Sequence, residues 1–84
     1  MTKFRKKPVV IEAFQVGELP PKWFAESGCV ILCKTDPHTP YRIKTLEGDM
    51  LANFGDWIVK GVKNELYPVR DDIFKETYDP VGEL

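Results

Sequence analysis

The chain is short of the residues on which most protein chemistry depends. Its 84 residues include two cysteines, one histidine and six glycines. Cys29, Cys33 and His38 alone cannot make up a metal-ligand set. If both cysteines lie on one strand, four residues at ~3.3 Å each hold their Cα atoms roughly 13 Å apart, beyond the ~7 Å that a disulfide tolerates. They are expected to be reduced, small apolar residues of the core. The glycines are scattered at turns, so no phosphate-cradling loop exists. His38 lies in a proline-containing loop with no nucleophile beside it, and neither cysteine carries an activating signature. The carboxylate pairs Asp71-Asp72 and Glu47 with Asp49 are of the kind that helix capping and turn formation account for. These absences point to a protein that is not an enzyme and uses no cofactor.

Long apolar runs are missing too. Nothing approaches the ~20 residues of a membrane helix. The opening Met-Thr-Lys-Phe-Arg-Lys-Lys-Pro resembles the charged part of a signal peptide, but Glu12 interrupts Val9-Val10-Ile11 at once. That is too short for export, and a cytoplasmic protein is expected. An excess of either charge is also absent: 12 basic residues face 13 acidic ones, for a net charge of −1. Such a balance gives no general attraction to nucleic acid or anionic lipid. The charges are unevenly spread, with Lys3, Arg5, Lys6 and Lys7 at the start and Asp71, Asp72, Glu76, Asp79 and Glu83 near the end. The basic cluster lacks interleaved aromatics apart from Phe4, and the acidic end would repel a polyanion, so nucleic acid is not a favoured partner.

What remains is an ordinary globular composition, 43% hydrophobic and 30% charged, in a chain whose length suits one domain spanning 1–84. Pro8 to Val16 is rich in β-branched and aromatic residues and stops at Gly17, a strand signature. Leu19 to Gly28 reads as a short helix with prolines in its first turn and a glycine at its C-terminal cap, docked by Trp23 and Phe24. The apolar run Cys29–Cys33 predicts a central strand covered on both faces. After a loop over 35–40, Tyr41–Leu46 alternates: Tyr41, Ile43 and Thr45 point one way, Arg42 and Lys44 the other.

Turns at Glu47-Gly48-Asp49, Gly55-Asp56 and Val62–Glu65 separate three more strands, at 50–54, 57–60 and 66–69. Pro68 cannot donate to a ladder, which makes the last strand an edge. Asp71–Tyr78 reads as a helix capped by Asp71 or Asp72, with Ile73, Phe74, Thr77 and Tyr78 on its inner face. The expected fold class is α+β: a small, curled, mostly antiparallel sheet of about six strands with two short helices, ordered β-α-β-β-β-β-β-α.

One constellation suggests a ligand. Arg42 and Lys44 share a strand face, Lys60 and Lys63 flank Gly61, and Trp57 and Tyr67 lie close by in sequence or across a hairpin. Aromatic faces beside cations suit a nucleobase carrying phosphates: the ring stacks, and the phosphate takes charge-assisted hydrogen bonds. The competing account makes Trp57 and Tyr67 core or rim residues and leaves the lysines solvated. An exposed edge strand and a high aromatic content also favour self-association as a dimer.

Three stretches carry a resemblance. They are Lys6-Lys7-Pro8-Val9-Val10-Ile11-Glu12-Ala13, then Ile43–Asp49, then Gly55–Lys63 continuing to Tyr67-Pro68 and Asp72-Ile73-Phe74. Together they resemble a family of small uncharacterised proteins of bacteriophages and prophages, which often read "PGDYG" where this chain has Asn53-Phe54-Gly55-Asp56-Trp57. Phe54 replaces the usual proline and Trp57 the tyrosine. The resemblance implies a phage accessory protein acting in a bacterial cytoplasm, and it carries over no site residues. By analogy with such accessories, the expectation is a non-catalytic counter-defence protein that sequesters a small phosphorylated ligand of nucleotide type. The other readings are a protein–protein inhibitor of a host defence enzyme and a minor nucleic-acid-associated phage protein.

Overall fold

The structure, a computed structural model, describes residues 2–4, 9–33 and 36–81. It contains β1 (Glu12–Gln15), α1 (Lys22–Glu26), β2 (Val30–Leu32), β3 (Tyr41–Thr45), β4 (Gly48–Ala52), β5 (Trp57–Lys60), β6 (Leu66–Val69) and α2 (Asp71–Thr77). The α+β class, the six antiparallel strands and the element order are those expected from the sequence. The strands divide into two three-stranded sheets, ordered β1-β5-β6 and β2-β3-β4. Residues 5–7, which make up most of the N-terminal basic cluster, lie outside the described residues.

Each hairpin follows from its turn chemistry. Leu46 and Glu47 form a two-residue loop between Thr45 and Gly48, and Gly48 takes φ 111°, a conformation that side chains resist. Between β5 and β6 the Gly61 amide donates to the Glu65 carbonyl at 2.8 Å, while the Glu65 carboxylate folds back to accept the Lys63 amide at 2.9 Å. Asn64 supplies the left-handed residue of this loop, at φ 63°.

The core forms between the inner faces of the two sheets. Phe14, Ile58 and Leu66 from one sheet meet Ile43 and Ala52 from the other, with Val16 and Phe24 completing the cluster. Phe24 is the joint: its ring packs edge-on against Phe14 (4.8 Å, 69°) and against Tyr41 (4.8 Å, 72°), one from each sheet. Burying one such side chain contributes about 1.5–3 kcal/mol. Trp23 docks beside it on Phe14 at 5.8 Å, as expected for α1, and Gly28 ends this region at φ 73°.

Three expectations need correction. The strand covered on both faces is β5, where Ile58 and Val59 are both fully buried. The Cys29–Cys33 run instead supplies the edge strand β2, with Ile31 and Leu32 exposed, because among the described residues nothing pairs beyond it. Cys29 and Cys33 are accordingly half-buried, and both are free thiols. Neither Asp71 nor Asp72 caps α2: the cap position is Arg70, and the two aspartates lie inside the first turn, where the dipole still favours them. Of the four residues expected on the inner face, Phe74 in α2 and Tyr78 just after it turn inward, while Ile73 and Thr77 are exposed.

Candidate functional site

The six residues singled out in the sequence are distributed over several faces. Trp57 and Val59 share one face of β5, paired with Val69 and Tyr67 of β6, and α2 lies over this face. Trp57 stacks on Phe74 with ring centroids 4.2 Å apart and planes 5° apart. Its indole N–H donates to Asp71 Oδ1 at 2.8 Å. That hydrogen bond, with help from Lys75, holds the Asp71 carboxyl below its ordinary value. One face of the indole is thus already covered, and its donor is engaged.

Lys60 leaves β5 on the opposite face, with its ammonium 5.8 Å from the centre of the Trp23 ring. Lys63 lies exposed in the β5–β6 turn. Arg42 is exposed on the outer face of β3, between Ile31 and Leu51 on the neighbouring strands. Lys44, on that same face, is paired across the strands with Asp49.

Two of the six do come together. Lys44 and Tyr67 both line a cleft of about 630 Å³ where β6 lies against the β3–β4 hairpin. Its walls are largely apolar, from Cys29, Leu46, Met50, Leu66 and Pro68. Thr45 and Glu47 complete the hairpin side, but the Thr45 hydroxyl is committed to the Gly48 carbonyl. Glu65 contributes from the β5–β6 loop, where its carboxylate is occupied by its own turn. Lys44 stands exposed at the rim.

The Tyr67 hydroxyl sits 3.4 Å from that of Tyr78. Burial first, then Tyr78 and the nearby Glu65 charge, push the Tyr67 phenol up to about 12, so it stays protonated and able to donate. That hydroxyl lies on the α2 side of β6, so the cleft offers an apolar slot with the cation of Lys44 at its edge.

Sequence reasoning missed Cys29, Met50, Leu66 and Pro68 as cleft residues. Met50 had a signal: the alternation that turns Ile43 inward also turns its cross-strand partner inward. Cys29 had none, because its position depends on how β6 crosses the other sheet. A second, more open groove of about 1050 Å³ runs between α1, β1 and α2 past Trp23, Phe14, Trp57 and Phe74.

The stretch behind the family resemblance has a structural task. Gly55, at φ 93°, donates to the Val16 carbonyl at 3.1 Å, and its own carbonyl accepts the Gln15 side-chain amide at 3.0 Å. Asp56 accepts the Asn53 amide at 3.0 Å, closing the turn that launches β5. Among the described residues no group of three or more His, Cys, Asp or Glu side chains is placed to hold a metal ion, and no helix is long and apolar enough to cross a membrane. No family model, curated protein or solved structure matches the chain.

Proposed function

We propose that the chain is a non-catalytic binding protein that holds a small phosphorylated ligand in the cleft between β6 and the β3–β4 hairpin. The observation that carries this reading is the meeting of Lys44 and Tyr67 at an apolar slot. A flat ring lies against Met50, Leu66 and Pro68, and Lys44 meets the phosphate. One cation suits one phosphate group, so a nucleoside monophosphate or a comparably charged molecule is the expected class. The resemblance to phage accessory proteins supports the setting, ligand sequestration in a bacterial cytoplasm against a host defence.

Calorimetry against a panel of mono-, di- and cyclic nucleotides tests the proposal. Binding should fall at least ~10-fold in Lys44→Glu, which is ~1.4 kcal/mol, and stay unchanged in Lys60→Glu, whose ammonium lies over the Trp23 ring and does not line the cleft. Equal loss in both variants, or no binding to any nucleotide, refutes the site. A second reading, docking onto a host protein, draws support from the outer face of β2-β3-β4, where exposed Ile31 and Leu51 flank Arg42.

A further inference from the structure

The four sheet edges are not equally protected. β6 carries Pro68, β2 is three residues long, and β1 opens on the charged Glu12. β4 runs five residues, Gly48-Asp49-Met50-Leu51-Ala52, with no proline, no lysine and four residues exposed. Its packing neighbours are β3 and β6. An unprotected edge of this kind is a template for another strand.

Which backbone groups of β4 are open follows from the neighbouring ladder. The Lys44 amide donates to the Cys29 carbonyl at 2.8 Å, and the Pro40 carbonyl accepts from the Cys33 amide at 2.9 Å. In an antiparallel strand both main-chain groups of a residue face the same neighbour. Pro40, Arg42 and Lys44 therefore face β2, while Tyr41, Ile43 and Thr45 face β4. Their partners Ala52, Met50 and Gly48 bond back to β3. The N–H and C=O groups of Asp49 and Leu51 point away from the molecule.

We propose that β4 pairs antiparallel with β4 of a second copy, with Asp49 opposite Leu51 of the other copy and Met50 opposite Met50 at the two-fold axis. This register satisfies the outward groups of both residues in both copies, whereas centring the axis on Asp49 or on Leu51 satisfies fewer. Charge selects the same register and the same occupant. Arg42 has no ion-pair partner within reach among the described residues and lies beside Leu51. The second copy brings its Asp49 to the far side of that leucine, extending the row to Ile31, Arg42, Leu51, Asp49, Lys44. Centring on Asp49 would instead set two carboxylates against each other, which is unfavourable. The six strands then form one sheet, and the Met50-lined clefts of the two copies become neighbours.

Five-residue pairing buries less than the roughly 1,200 Å² of a standard interface, so the dimer is expected to be weak, with Kd on the order of 10⁻⁴ M. Sedimentation equilibrium of the full chain, from about 10 µM to about 1 mM, reads this directly. Leu51→Pro removes an outward N–H without touching the β3 ladder, and should weaken self-association at least ~10-fold with circular dichroism unchanged. Should that variant misfold, the charge pair decides. Leu51→Asp faces Asp49 of the other copy and should abolish association, whereas Leu51→Lys faces the same carboxylate and should retain it. A strict monomer throughout the range, undiminished association in Leu51→Pro, or equal loss in the Asp and Lys variants overturns the proposal.

Discussion

Replacing Trp57 by alanine separates a fold role from a ligand role, and the geometry sets the size of the effect. α2 has no fully buried residue. It is held through Phe74 stacked on Trp57, Tyr78 against Tyr67, and Asp71 accepting from Trp57 and Gln15. Deleting a fully buried aromatic costs about 3–5 kcal/mol, and half-burial scales this to about 2. Losing the parallel ring pair adds about 1 kcal/mol. A loss of about 3 kcal/mol lowers Tm by roughly 10–25 °C in a domain of this size, at about 4–8 °C per kcal/mol.

The assay is thermal denaturation followed by circular dichroism, with amide exchange over residues 71–78 as the local readout. Exchange there should accelerate more than in β3, because α2 loses its anchor before the core opens. Trp57→Phe keeps a ring on Phe74 but loses the donor, so it should fall between wild type and alanine while the Asp71 pKa rises toward its ordinary value. In wild type that pKa is depressed, so the associated stability is present above the unfolded carboxylate range and is lost as pH falls through the lower folded value. A Tm change below about 4 °C in Trp57→Ala, about 1 kcal/mol or less, would refute the docking argument.

The Tyr67 phenol lies at about 12 against an ordinary 10.0. A raised folded value means that its contribution is complete below pH 10, declines through the interval and is gone above pH 12. Tm measured against pH should show this alkaline loss in wild type and not in Tyr67→Phe, with phenolate absorbance locating the titration; identical profiles would count against the burial of this hydroxyl. Gly48→Ala puts a side chain at φ 111°, and the surrounding space is open, so backbone strain alone acts. A loss of about 1–3 kcal/mol by chemical denaturation is expected, and a neutral result would contradict the hairpin geometry.

Much of the fold could be read from local chemistry. Alternation fixed the two faces of Tyr41–Thr45, Pro68 marked an edge strand, glycines marked the turns, and the Asp71–Thr77 helix ends shortly before Pro80. These signals are short-range, because each depends on what a residue permits its own backbone to do. The division into two sheets was not legible, since pairing partners far apart in sequence are chosen by packing. The apolar run at Cys29–Cys33 shows the limit. Hydrophobicity predicts burial on average, but Phe24 fills the space between the sheets and leaves β2 at an edge, while the shorter Ile58-Val59 pair becomes the strand buried on both sides.

The candidate site divides along the same line. The sequence by itself determined which side chains carry useful chemistry, the cations Arg42, Lys44, Lys60 and Lys63 and the rings of Trp57 and Tyr67. Only the tertiary structure decided which of them meet. Strand alternation sends Trp57 and Lys60 to opposite faces of one strand, and α2 claims the indole through Phe74 and Asp71. β6 lies against the β3–β4 hairpin and brings Tyr67 to Lys44. The physical reason is that a residue's type sets what it can bind, whereas its neighbours are set by the one packing that buries Phe14, Phe24, Ile43 and Ile58 together.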